Sequence, residues 1–126
     1  MVNKTWIAFA NRKRCRHADA FKNLGFISWT MNRTRFNIGD IVYFLVSDEK
    51  CIRFKGEVVE KDCEREDVSY WIEKAPKDKT YKIKFIAEYE GDKLNKSELY
   101  KHGFKGYLRH PLCNNKELID YIKSIF

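Results

Sequence analysis

The 126-residue chain has the length of one domain with a single core, and we expect residues 1–126 to form one unit. Its composition, 44% hydrophobic and 15% aromatic, excludes a disordered segment, and its longest apolar run, 41–46, is too short to span a bilayer. The net charge of +7 resides in residues 1–38, where eight cations face one acid, Asp19. That asymmetry predicts a polyanionic partner. The shortness of the apolar run predicts no membrane partner.

The first half of the chain predicts three strands, a short helix and a less regular basic crossing. Thr5 to Ala10 reads as an opening strand, and His17 to Leu24 as a helix with Ala18, Phe21 and Leu24 on its apolar face and Gly25 after its end. The chain is extended again over 26–29 and crosses over 32–37. The apolar run 41–46 predicts a central strand covered on both faces, hairpinned to the alternating strand 52–58.

The second half predicts one more strand and two capped helices. Residues 61–67 are charged and read as irregular or as one helical turn, and 81–89 alternate as a strand. Asn95 and Asn114 are predicted helix N-caps, each with a glutamate three residues on. No β-α-β rhythm repeats, so we predict an α+β fold with a small curved sheet or open barrel flanked by short helices.

The cysteine and histidine patterns argue against a metal centre or another cofactor. The four cysteines lack C-x-x-C or zinc-finger spacing, and with no visible export signal they indicate free thiols in a cytoplasmic protein. Each of the three histidines neighbours Lys or Arg, which favours a surface position or a phosphate contact over metal ligation; they are His17, His102 and His110.

Trp29 is the best candidate for a binding aromatic. It lies inside the basic segment with polar neighbours, among them Ser28 and Asn32, so that a flat ring could stack on an unstacked base while cations contact phosphates. The alternative is an ordinary core tryptophan beside a solvated loop. The predicted phosphate contacts are Arg12, Lys13, Arg14, Arg16, Arg33 and Arg35.

The order of motifs along the whole chain resembles the EVE domain of the PUA-like superfamily, and more distantly the YTH domain. The resemblance rests on a strand ending at Ala10-Asn11, a basic helical segment, and three later sequences in order: Phe26-Ile27-Ser28-Trp29, Ile38-Gly39-Asp40-Ile41-Val42-Tyr43-Phe44, and Phe54-Lys55-Gly56-Glu57-Val58-Val59. Tyr70-Trp71, a basic strand and a helical tail follow.

The resemblance implies a small β-barrel flanked by helices that binds a methylated or hydroxymethylated base, flipped into an aromatic pocket. Trp29 matches the pocket tryptophan, Asn11 the polar residue that ends the first strand, and Tyr70 or Trp71 the second aromatic wall. Ser28 and Asn32 would contact the base edge. Asn11 also fits a simple turn, and the choice between Tyr70 and Trp71 stays open because consecutive residues point opposite ways.

Three functions compete at this stage. The first is a non-catalytic reader of modified DNA or RNA bases, with a separate nuclease or translocase subunit as a further partner because the chain has no nuclease motif. The second is an enzyme related to the ASCH domain, which acts on nucleosides or RNA and would need a buried carboxylate beside a lysine in the pocket. The third is an interaction or specificity subunit of a modification-dependent restriction system, which would present an exposed apolar patch.

Overall fold

The protein is described by a computed structural model over residues 3–31, 35–104, 112–113 and 115–126. Its regular elements follow one another in this order: β1 Thr5–Ala10, α1 His17–Leu24, β2 Phe26–Thr30, β3 Ile41–Val46, β4 Cys51–Cys63, β5 Thr80–Glu88, α2 Lys96–Lys101, β6 Leu112–Cys113 and α3 Lys116–Ile125. A short 3-10 turn at Val68–Tyr70 precedes Trp71.

The strands form one mixed sheet in the order β2-β5-β4-β3-β1-β6. β1 and β3 run parallel, whereas β3, β4, β5 and β2 pair antiparallel in succession. Irregularities in the β4–β5 pairing bend the sheet, which curls into a half-barrel. The prediction of a small α+β fold with a curved sheet and short helices is therefore confirmed at that level.

Each face of the sheet carries its own core, because successive side chains of a strand point to opposite sides. In β3, Val42, Phe44 and Val46 join the core covered by α1, while Tyr43 and Leu45 join the core covered by α2 and α3. The central position of this strand and its burial on both faces are confirmed.

Glycines allow two of the close or unusual backbone geometries. Gly25 adopts φ +80° and ends α1 as predicted, its N–H donating to the carbonyl of Phe21. At Gly56 in β4, a Cβ atom would lie 2.5 Å from the Ile83 side chain, so only glycine lets β4 and β5 approach so closely there.

Three local predictions need correction. The buried face of α1 consists of His17, Ala20 and Phe21, whereas Ala18 and Leu24 are exposed, because the helix lies on the sheet about one residue rotated from the predicted face. β4 runs on to Cys63 and so includes the first three residues of the segment 61–67, whereas residues 64–67 are irregular as predicted. The last helix is capped by Asn115, whose side chain accepts from the backbone N–H of Leu118.

Asp40, which reads as a turn residue in the sequence, is a buried anchor. Its carboxylate is fully buried and accepts from the backbone N–H groups of Lys4 and Asn37 and from the indole N–H of Trp6 at 2.8–2.9 Å. Asp40 therefore joins the start of β1 to the turn that precedes β3, and it leaves these three donors satisfied.

Candidate nucleic-acid interface

A cavity of about 180 Å³ lies where β1 ends, α1 begins and the edge strand β2 passes. Its lining combines two indole rings with polar and cationic side chains: Phe9, Asn11, Arg14, Cys15, His17, Ser28, Trp29, Thr30, Arg65 and Trp71. Four of the sequence-predicted pocket residues, Asn11, Ser28, Trp29 and Trp71, come together here. Asn32 lies outside the described residues.

Trp29 stands at the boundary between core and cavity. Its ring packs edge-on against Phe44, with ring centroids 5.2 Å apart, and lies tilted against the imidazole of His17 at 5.8 Å. The residue is half-buried, and its strand is held by pairing with β5, where Trp29 faces Tyr81. The sequence left two alternatives for Trp29, a core residue or a pocket residue. In the structure Trp29 packs on the core and also lines the cavity.

Of the two consecutive aromatics, Trp71 lines the cavity. An antiparallel β-bridge between the backbones of Cys15 and Trp71 holds this segment against the loop before α1. In it, the Arg16 N–H donates to the Tyr70 carbonyl and the Ile72 N–H donates to the Arg14 carbonyl, both at 2.8 Å. Tyr70 does not line the cavity; it packs on the core, with the Arg16 guanidinium 5.8 Å from its ring centroid. The predicted pocket role of Tyr70 is therefore not supported by its position.

A buried ion pair fixes Trp71 from behind. The Asp67 carboxylate, 1% exposed, accepts from the Ser28 backbone N–H, from the Arg65 guanidinium and from the Trp71 indole N–H at 3.1–3.2 Å. Arg65 is also buried, and its guanidinium lies over the Trp71 ring at 4.8 Å from the centroid. The pair therefore links β2 to the segment that carries Trp71 and sets the orientation of that ring.

Sequence reasoning missed Arg65 and Asp67 because their run of charged residues resembles a solvated loop. The available signal was the arrangement of an acid four residues before a tryptophan, with an arginine two residues earlier still. Both side chains bond to Ser28 on β2, about 40 residues away in the sequence: Asp67 accepts from its backbone N–H, and Arg65 donates to its carbonyl.

His17 is buried, which corrects the predicted surface position. It is 8% exposed because it begins the buried face of α1, at helical spacing from Ala20 and Phe21. Burial lowers the pKa of His17 from 6.5 to about 4, helped by the nearby Arg65 and opposed by Asp67, so the imidazole is neutral at pH 7. The helical spacing in the sequence was the signal that could have placed it inside.

Cys15 also lines the cavity, as a protonated thiol. Burial, with a smaller contribution from the nearby Asp67 carboxylate, raises its pKa to about 12. Because the thiolate is the reactive form, Cys15 is inert as a nucleophile at neutral pH.

Asn11 and Ser28 both line the cavity, and the side chain of each also accepts a hydrogen bond from a backbone N–H group. The Asn11 Oδ1 atom accepts from the Lys13 backbone N–H at 3.0 Å, which gives the turn that the sequence offered as its alternative role. The Ser28 hydroxyl accepts from the Glu66 backbone N–H at 3.1 Å. For a base contact the Ser28 hydroxyl keeps its O–H donor and its second lone pair.

The predicted phosphate-binding cations occupy different environments. Arg12 is paired with Asp48 at 2.6 Å, and this hydrogen bond raises the pKa of Arg12 and lowers that of Asp48. Arg14 lines the cavity with Glu73 3.7 Å away, and Arg16 donates to the Ser69 carbonyl. Lys13 and Arg35 are exposed, whereas Arg33 lies outside the described residues.

The described residues lack two kinds of feature. Those residues hold no cluster of three or more His, Cys, Asp or Glu side chains suited to a metal ion. They also contain no helix with the length and apolar character that a bilayer span requires.

Comparison with known proteins bears on the fold. No protein-family model matches the chain, and no curated protein matches it. The structure of a hypothetical protein from Leishmania major is similar, with a TM-score of 0.65 at 19% sequence identity, over 98% of this chain and 94% of that one. At this identity the likeness shows a shared fold, which here is the small curved sheet with short helices.

Proposed function

We propose that this chain is a non-catalytic nucleic-acid-binding module of the PUA-like, EVE-domain kind. In this proposal the cavity receives a modified base flipped out of its stack, and the cations of the loop before α1 contact the flanking phosphates. The observation that carries the proposal is that Trp29 and Trp71 line one cavity beside Arg14.

The energetics favour a site with two rings. Extracting a base from a duplex costs a few kcal/mol, and stacking on one aromatic ring returns about 1–3 kcal/mol. Two indoles together approach that cost, so phosphate contacts need to supply only the remainder. Because the phosphate contacts release counterions, the logarithm of the binding constant should fall linearly with the logarithm of the salt concentration.

The geometry gives less support to the enzymatic alternative. An ASCH-like hydrolase calls for a carboxylate beside a lysine in the pocket. The buried acid behind this cavity, Asp67, is paired with an arginine, and its oxygens already accept three hydrogen bonds. These three hydrogen bonds and the paired guanidinium suit a supporting role for Asp67 better than proton transfer.

The test is a titration of matched oligonucleotides with and without one modified base, at low salt. Trp29→Ala should weaken binding of the modified strand by about 5- to 150-fold, the loss of one stack. Tyr100→Ala, which removes a half-exposed ring from α2, is the matched control and should bind as the wild type does.

Circular dichroism decides whether each variant is folded. A folded Trp29→Ala protein that keeps its preference for the modified base would contradict the proposal. If Trp29→Ala unfolds the chain, the same titration on Trp71→Ala replaces it, with the same expected loss.

A further inference from the structure

A second cavity, larger than the one that Trp29 lines, opens beside the 3-10 turn. It has a volume of about 640 Å³, and its lining includes three lysines that define it as the lysine groove: Lys74, Lys77 and Lys79. Its size falls within the range of about 300–1,000 Å³ that is typical of sites for small molecules. Arg65 lines both cavities, so the lysine groove adjoins the Trp29 cavity.

The lysine groove has a surplus of positive charge. Its lining holds four cations and two acids, and each acid has a cationic partner. Glu64 pairs with Lys79, and the Asp78 carboxylate lies 3.2 Å from the buried guanidinium that the two cavities share. Lys74 and Lys77 are exposed, and neither side chain has an ion pair or a hydrogen bond among the described residues. Two such ammonium groups at one cavity favour an anionic ligand.

The lining also offers an apolar surface between its charged groups. Val68 is 56% exposed on the 3-10 turn and lines the groove together with Ala75 and Pro76. A free phosphate ion has no use for this surface. A nucleotide has an anionic phosphate together with a flat base whose faces are apolar, so it matches both parts of the lining.

Backbone hydrogen bonds hold the loop that carries the lysines. Before the lysines, the Ile72 N–H donates to the Arg14 carbonyl at 2.8 Å, and at their end the Met31 N–H donates to the Lys79 carbonyl at 3.2 Å. Between these points the Pro76 carbonyl accepts from the shared guanidinium at 3.2 Å. Because the loop is already ordered, a ligand in the groove would lose less free energy to loop ordering.

We propose that the lysine groove is a second nucleotide subsite, which holds the nucleotide next to the modified base in the same strand. Lys74 and Lys77 contact the phosphates of this nucleotide, and its base lies on the apolar surface at Val68. The inference rests on the proposed function and deepens it, because it gives the strand a path from the Trp29 cavity into the groove. The ligand class is therefore a polynucleotide strand rather than a free modified nucleoside.

The first test uses single-stranded decamers, as DNA and as RNA, with 5-methylcytosine, N6-methyladenine or the unmodified base at the fifth position. Lys74→Gln/Lys77→Gln removes two charges, so it should weaken modified and unmodified strands alike by about tenfold at low salt and lower the salt slope by about 1.4. Lys116→Gln/Lys123→Gln makes the same charge change at exposed positions of α3 and should alter binding by less than about twofold. Circular dichroism checks that each variant is folded.

A second measurement tests whether a base, and not only a phosphate, occupies the groove. Two further strands carry an abasic residue on the 5′ or the 3′ side of the modified base, which keeps the phosphate and removes the neighbouring base. One of the two should bind the wild-type protein about 3- to 10-fold more weakly than the intact strand. Val68→Ser, an uncharged change at an exposed position, should reduce this difference.

The outcomes distinguish the groove from the proposed function. If the Lys74/Lys77 variant weakens binding no more than the α3 control, the groove is overturned, while a modified-base preference that depends on Trp29 stands. Equal binding of the intact strand and both abasic strands overturns the placement of a base in the groove. Binding that depends on the lysines but ignores the modification overturns the base-reading function and leaves the groove as a strand-binding site. Failure of every strand to bind at low salt overturns both proposals.

Discussion

Two tryptophans of the same core differ in how completely their surroundings are satisfied. Trp6 is 6% exposed, and its indole N–H donates to the buried carboxylate of Asp40, which accepts from two backbone N–H groups as well. Trp29 is half-buried and borders a cavity together with His17, whose Nδ1 atom has no partner among the described residues. The comparison contrasts a region whose polar groups bond one another with a region that borders an open cavity.

A second difference lies in the polar groups that hold Trp6 and Trp71 in place. At Trp6 one carboxylate bonds the ring and the adjoining backbone directly. At the cavity, the Arg65–Asp67 pair holds Trp71 and the β2 backbone from behind and leaves the lining with unoccupied space. Residues that are engaged with partners of the protein itself should therefore affect folding, and residues facing the space should affect binding.

The largest expected effect is at Asp40. Asp40→Ala leaves two backbone N–H groups and the Trp6 indole N–H buried without an acceptor, so we expect a loss of about 3–5 kcal/mol in the free energy of unfolding. Urea denaturation followed by circular dichroism measures it. Asp48→Ala, which removes an exposed partner of Arg12, is the control and should cost less than about 1 kcal/mol.

An Asp40→Ala protein as stable as the control would mean that the Trp6 region does not depend on this carboxylate. The contrast between the two tryptophan regions would then fail on its stability side.

The next effect is a pH dependence that originates at the cavity. The pKa of His17 is about 4 in the folded protein and near 6.5 in the unfolded chain, so the unfolded chain binds a proton that the folded protein excludes. Stability is therefore complete above pH 6.5 and falls as the pH falls toward 4. The loss attributable to His17 between pH 7 and pH 5 is about 2 kcal/mol.

Unfolding experiments at pH 7 and pH 5 on wild type and His17→Phe isolate this contribution, because other titrating groups cancel in the difference. The groups that act on His17 from neighbouring elements, Asp67, Arg65 and the Cys15 backbone, are retained in both proteins. Equal pH dependence of the two proteins would show that His17 titrates normally and is exposed to solvent.

The smallest effect concerns the basic loop. Lys13 is exposed beside the cavity-lining residues, so Lys13→Glu should weaken oligonucleotide binding for all sequences alike and lower the salt slope by about 1. Lys123→Glu makes the same charge change at an exposed position of α3. If both substitutions weaken binding equally, net charge rather than a phosphate path next to Trp29 accounts for the affinity.

Local patterns in the sequence predicted much of the fold. The bounds of β1, α1 and β3 and the caps at Gly25 and Asn95 follow from periodicity and from residue preferences at helix ends, which act over a few residues. The extension of β4 to Cys63 was missed because its charged residues lack the apolar alternation that predicts a strand. Past Glu57 this part of β4 pairs with β5 alone.

The candidate site was predicted in part. Trp29 and Asn11 line the cavity as the resemblance implies, and the choice between Tyr70 and Trp71 required a long-range bridge to Cys15. Asp67 and His17 were missed although the spacing around each gave a local signal, since burial and partners distant in sequence decide the role of a charged or basic-flanked residue. Such tertiary contacts leave little trace in local sequence.

The most direct test follows the three indole N–H signals of the chain in a two-dimensional NMR spectrum during titration with an oligonucleotide carrying a modified base. Each signal is assigned by a Trp→Phe substitution. The account predicts that the Trp29 and Trp71 signals shift with the binding isotherm while the Trp6 signal, buried against Asp40, stays in place. Binding that leaves Trp29 and Trp71 unmoved, or that moves Trp6 alone, would contradict it.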